Sequence, residues 1–376
     1  MIKNLITILM SFVFSLISIE MFLNFNDIKK IINSEDNRKL SEIYNDLNKN
    51  EEIYKTTITP KYFLNNSLEK EIFPFAGISN SKTIHCNENG YWNIYESDRY
   101  GFNNPNQYWD KENLDYLIIG DSFGHSMCVY NKESIAGRLR ENNKNVLNLS
   151  YTGIGPLIEF GIYKEYGENF KIRNLIWLYF EKNDLNDLKR EVKNKILKNY
   201  LNNEYKQKLI YKQNQIDNSL NKFLDEKIKP RINSYKKYPI WLKIIKLTKL
   251  RKEIKNLVFD KNKIQEEIDS GTFEDFRKIM TLVKKSTDQK NINFYFVYIP
   301  AYERIEIKNG LNDNELYYYN KVISIISELN IKIIDLRNEI FLKENDLKSF
   351  YPFRAKGHFN SKGYMKISDL IKQKTN

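Results

Sequence analysis

A serine hydroxyl becomes a nucleophile only when a base takes its proton and nearby donors carry the charge that develops on the substrate oxygen. The 376-residue chain has three histidines to supply such a base: His85, His125 and His358. In the stretch YLIIGDSFGHS an apolar run stops abruptly at Gly120, and Asp121 and Ser122 follow. NLSYTGIGP closes a second apolar run and carries Gly153; a glycine there lets backbone approach closely, and its N–H can donate to an oxyanion. WLYFEKNDLND closes a third run with Asn183, whose side-chain amide is a donor of the same kind. RAKGHFNSKGY places His358 just ahead of the last helical stretch. Taken singly, each piece is an ordinary turn. The ordered set of Ser, Gly, Asn and His is the signal, and acyl chemistry is what it could perform.

Such residues need a scaffold that brings four strand ends to one edge. The sequence alternates strand-like and helical segments. DYLIIG, NVLNLS, NLIWLYF, INFYFVYIP and IKIIDL read as buried strands. KESIAGRLREN, PLIEFGIYKEYGENF and NELYYYNKVISIISELN have helical spacing, and a last helix is expected after Gly363. This alternation predicts a mainly parallel sheet covered on both faces, with ligands bound at its carboxyl edge.

The ordered set resembles the SGNH/GDSL hydrolase family, whose name gives the Ser, Gly, Asn and His of its four blocks. GDSF looks like the first block with Ser122 as nucleophile, and NLSYTG the second with Gly153. EKND looks like the third with Asn183, and GHFNSKGY the last with His358 as base. The resemblance covers about 115–188 and 290–376, and SDRYGFNNP (97–105) looks like the lead-in of membrane-anchored bacterial members. It implies a three-layer α/β/α sandwich and acyl transfer through a Ser122 acyl-enzyme. The Ser122 N–H, Gly153 and Asn183 would form the oxyanion hole. Two positions depart from the family. Glu181 stands where its third block often has Gly, and Ala355 stands where an Asp usually precedes the histidine by three residues. Asp346 is then the candidate third member if its loop bends back; a backbone carbonyl, or a Ser–His dyad, would serve instead. His125 would line the pocket, compete as base or pack beneath the site. Cys86 and Cys128 are either bridged or two unlinked thiols.

Composition narrows the setting. Hydrophobic residues make up 41% of the chain, with 26 Tyr and 22 Phe, enough for a sizeable core. The net charge of +12 comes from Lys and Arg spread along the chain, without a nucleic-acid motif. No cofactor is called for, and three scattered histidines make no metal-ligand cluster. Leu5 to Leu23 is apolar on every face apart from Glu20, as expected for an uncleaved signal anchor with the rest of the chain outside the cytoplasm.

The expected organisation is then an anchor over 1–23, a stalk and lead-in over 24–110, and core halves over 111–188 and 286–376. Between the halves lies a basic helical insertion over 189–285. Within it WLKIIKLTKLRKEIKNLVF (241–259) is amphipathic and basic. Its plainer reading is a helix packed on its own domain; the other is a helix lying on an anionic membrane. The functional expectation is an esterase, deacetylase or O-acyltransferase acting on an acylated small molecule or a cell-surface polysaccharide. The alternatives are a non-catalytic glycan-binding protein and a membrane-associated interaction protein.

Overall fold

The structure is a computed structural model that describes residues 2–49, 52–65, 72–141, 143–202, 204–234, 239–259, 268–305 and 313–375. Three helices come first: α1 (Ile2–Leu23), α2 (Phe25–Asn33) and α3 (Leu40–Leu47). A small sheet follows, made of β1 (Tyr54–Thr56), β2 (Lys82–Cys86) and β3 (Asn93–Glu96). In it β1 runs parallel and β3 antiparallel to β2. The region expected as a helical stalk to about Lys61 therefore ends in a strand and a short 3-10 turn, Pro60–Phe63. It packs on the body of the protein, with Ile43, Tyr44, Ile58 and Phe63 buried.

The main sheet contains β4 (Asn113–Gly120), β5 (Val146–Asn148), β6 (Lys171–Phe180), β7 (Asn293–Ile299) and β8 (Lys332–Asp335). All neighbours pair in parallel, in the order β5-β4-β6-β7-β8. Parallel strands buried on both faces read as continuous apolar runs, which is why YLIIG and LIWLYF were legible. Side chains alternate across the sheet. Leu117, Ile119, Leu175, Trp177 and Phe296 enter one core, and Ile118, Ile176, Leu178, Val297 and Ile334 the other. Helices Pro156–Ile162, Ser270–Gln289 and Asp313–Glu328 cover the first face; Ile135–Arg140 and Ser361–Thr375 cover the second. This is an α/β/α sandwich. Each fully buried aliphatic side chain such as Ile118 contributes roughly 1.5–3 kcal/mol.

The helix Ser270–Gln289 buries Phe273, Phe276, Ile279, Met280 and Val283 and so supplies part of the layer over the sheet. It begins well before residue 286, where the second half of the core was expected to resume. The final helix starts at Ser361 rather than after Gly363, because the Asn360 side chain accepts the Gly363 N–H at 3.1 Å and caps it.

The chain leaves β4 to form β5 on one side, then crosses back to form β6 on the other. The order of strands reverses at β4, and the crevice beyond its carboxyl end is the natural place for a site. Ser122 lies two residues past that end.

Candidate active site

Gly120 closes β4 opposite Leu178 on β6. A Cβ on Gly120 would stand 2.9 Å from both the Leu178 Cβ and its carbonyl oxygen, so only glycine lets the strands stay this close here. Beyond it residues 121–128 form successive turns rather than a helix, with Ser126 and Cys128 at positive φ. The Asp121 carboxylate accepts the Phe123 N–H at 2.8 Å, an Asx turn that fixes Ser122 between them. Asp121 is fully buried, and burial pushes its carboxyl up to about 6.

His358 faces Ser122. Its Nε2 lies 2.8 Å from the Ser122 Oγ, and its ring packs against Phe123 at 4.8 Å. Its Nδ1 lies 3.0 and 3.1 Å from the two carboxylate oxygens of Glu88, and its backbone N–H donates to the same carboxylate at 2.8 Å. Burial alone would raise the Glu88 carboxyl. The ring and backbone N–H of His358, together with the charge of Lys30, outweigh that and hold it below the usual carboxylate range. An ionised Glu88 only accepts, so Nδ1 carries the proton and Nε2 is left to accept from the Ser122 hydroxyl.

Glu88 replaces Asp346 at this position. Asp346 is half exposed and pairs with the Arg354 guanidinium at 2.5 and 2.9 Å. It starts the surface turn Leu347–Phe350, and its loop does not bend back to the imidazole. Glu88 comes instead from the loop between β2 and β3. Cys86, two residues earlier, is bridged to Cys128, and the Asn89 amide donates to the Cys128 carbonyl at 2.8 Å. Lys30 on α2 donates to the Asn87 carbonyl at 2.8 Å. The opposing loop yields room through Gly357, where a Cβ would stand 2.9 Å from a Glu88 carboxylate oxygen.

Asn183 sits at the start of helix Asp184–Glu191, just past β6. Its amide donates to Asp187 at 2.6 Å and to Asp121 at 3.3 Å. Asp121, which precedes Ser122, thus links the first and third sequence blocks. Gly153 has φ +72°, and a Cβ there would press on Thr59 at 3.1 Å. Its neighbour Thr152 reaches the Met127 sulfur at 3.7 Å, so the Gly153 loop borders the Ser122 turn. Glu181, the departure from the third block, has a structural use: it accepts the Ala301 N–H at 2.9 Å and forms a buried ion pair with Arg304.

The other two histidines lie beneath. The His125 ring is buried, 4.6 Å from the His85 ring and stacked on Tyr151 at 5.2 Å. Neither of its nitrogens has a hydrogen-bond partner among the described residues, and burial pushes it down to about 3. It is a neutral core residue rather than a rival base. Asp98, in the lead-in, accepts from Tyr100, Phe102, Asn104 and Trp109. It knots that segment onto β5 through the Asn104–Asn148 bond at 2.9 Å.

Together these make an α/β sandwich with a serine, a histidine and a glutamate in one hydrogen-bonded line at the switch point of its sheet. No protein-family model matches the sequence, and no curated protein matches it. Among solved structures the chain is similar to the acetyl xylan esterase AlAXEase, with 12% identity and a TM-score of 0.38 over 69% of this chain and 98% of that one. It is also similar to a putative lipolytic protein of the G-D-S-L family from Desulfitobacterium hafniense DCB-2, with 10% identity and a TM-score of 0.36 over 70% of this chain and 99% of that one.

Proposed function

We propose that this protein is a serine-dependent acyl-ester hydrolase or O-acyltransferase of SGNH type. The observation that carries the reading is the line of contacts Ser122–His358–Glu88. The Ser122 oxygen attacks the acyl carbonyl carbon while the His358 Nε2 takes its proton. Glu88 steadies the imidazolium that forms. The oxyanion is received by the Ser122 N–H, the Gly153 N–H and the Asn183 amide, which turns from Asp121 to do so. His358 then returns the proton to the departing alkoxide, leaving an acyl-enzyme. A second hydroxyl, from water or from a sugar, gives its proton to Nε2 and takes the acyl group.

The absent Asp at position 355 would favour a pocket that only binds glycan; Glu88 supplies the missing carboxylate and favours catalysis. Asp346 has no part in the reaction.

We further propose that the protein is anchored by α1, with its catalytic body outside the cytoplasm. Among the described residues α1 alone is long and apolar enough to cross a membrane, as an anchor or a signal. The Cys86–Cys128 bridge supports an oxidising compartment. Acylated cell-surface carbohydrate is the substrate that fits this location. The test is turnover of 4-nitrophenyl acetate with and without an oligosaccharide acceptor, followed by mass spectrometry of the acceptor. Release of nitrophenol that Ser122→Ala abolishes supports the reading, and acetylated sugar identifies a transferase. Turnover that survives Ser122→Ala would reject it.

A further inference from the structure

Among the described side chains of the helices Ile240–Ile245 and Thr248–Phe259 none is fully buried, and the two helices pack on α1. Trp241, Ile245, Ile254 and Leu257 are 59%, 64%, 51% and 74% exposed. The side chains of Val258 and Phe259 lie outside the described residues. Exposed apolar side chains of this size, clustered on two successive helices, mark an interaction surface.

Its position indicates what it meets. Glu20, near the end of α1, is fully buried. Its two carboxylate oxygens accept the Lys249 and Leu250 backbone N–H groups at 2.9 and 2.7 Å, at the first turn of helix Thr248–Phe259. The Lys249 ammonium returns to the Leu23 carbonyl at 3.0 Å and to Asp27 at 3.1 Å. The one acidic residue of the apolar α1 is thus spent on tying this helix to the end of the span. That contact would have no use in a segment removed after export.

We propose that residues 240–257 form a platform lying on an anionic lipid bilayer, at the depth where α1 emerges. This rests on the reading of α1 as a retained anchor. Trp241 and the aliphatic residues enter the interface, and Lys252 and Lys255 meet the headgroups. Both helices pack against α1, which ties them to the end of the span, and the charge of Lys252 and Lys255 is opposite to that of anionic lipid. The platform also reaches the active-site region. A cavity of about 340 Å³ between α2 and helix Ile240–Ile245 is lined by Lys30, Asn87 and Lys243, and Asn87 adjoins Glu88. A bilayer under the platform would therefore lie on the side of the protein where Lys30 holds the loop that carries Glu88.

The test uses the full chain reconstituted in phosphatidylcholine/phosphatidylglycerol vesicles with brominated acyl chains, which quench tryptophan by contact. Comparing wild type with Trp241→Phe isolates the Trp241 emission. The expected result is a protein that resists carbonate extraction and a Trp241 emission that is largely quenched. Lys252→Glu with Lys255→Glu should weaken the quenching. A carbonate-resistant protein whose Trp241 emission is unquenched overturns the platform while leaving the anchor; the face would then meet a protein or solvent. A protein extracted by carbonate overturns the anchor and the platform with it. Ester turnover by the same samples is read separately, so loss of the platform is not confused with loss of the catalytic reading.

Discussion

Glu88 holds His358 by both its ring and its backbone, with the imidazole Nδ1 3.0 Å and the backbone N–H 2.8 Å from its carboxylate. One side chain therefore fixes the tautomer, the ring plane and the loop. Glu88→Gln keeps the size but replaces the charge. It should lower kcat/KM by roughly 10²–10⁴-fold, in line with the loss when a triad carboxylate becomes an amide. The melting temperature should move little. Asp346→Asn, in contrast, should leave the rate unchanged. Steady-state kinetics on 4-nitrophenyl acetate checks both.

Gly357→Ala places a methyl 2.9 Å from a Glu88 carboxylate oxygen. The carboxylate must retreat, so the rate should fall in the same direction as in Glu88→Gln. A Gly357→Ala enzyme with full activity would show that the carboxylate need not sit where the structure has it.

Asn183 donates to two carboxylates in the resting site. On its proposed role as an oxyanion donor, replacement by Ala should cost about 10²–10³-fold in kcat with little change in KM. An unchanged kcat removes it from the oxyanion hole.

The Cys86–Cys128 bridge closes a segment that contains Glu88 and Ser122. Replacing both cysteines with Ser should cost about 2–4 kcal/mol of stability. It should also lower activity more than urea-free folding alone explains, because the Glu88 loop loses its tie to the Ser122 turn. Denaturant titration alongside kinetics separates the two effects.

These positions divide by how far apart their partners lie in sequence. The placement of Ser122, Gly153 and Asn183 beyond strand ends was legible because each comes soon after a continuous apolar strand, and a parallel sheet brings such strand ends to one edge. His358 was legible because it precedes the last helix by a short loop. Glu88 was not. It lies between two short strands of a separate sheet, and only tertiary packing, through Lys30, Asn89 and the bridge, brings it to the imidazole. No spacing from His358 marks it, whereas Asp346 was nearby in sequence and lost to Arg354. The bridge itself stayed open because two cysteines at a distance fix no pairing. The turns after Gly120 carry no clear mark in the sequence, because the left-handed positions there are Ser126 and Cys128 rather than glycine.

The acids beneath the site set a pH dependence. Burial pushes Glu159 well above the usual range and Glu191 up to about 8. In the unfolded chain each titrates near 4.3, so between that pH and its folded value the fold holds the extra proton. Stability is full below about pH 4.3 for these groups and falls as pH rises, for Glu191 through about 8. Glu159→Gln, neutral at every pH, should flatten the alkaline loss of melting temperature. An identical pH profile for variant and wild type would show that Glu159 does not titrate with folding.

The central claim is that His358 activates Ser122 as a nucleophile. A fluorophosphonate probe, located by peptide mass spectrometry, reads this directly. One adduct is expected on Ser122, absent in Ser122→Ala and formed far more slowly in His358→Ala. No adduct on the folded wild type, or an adduct that persists in Ser122→Ala, would contradict it.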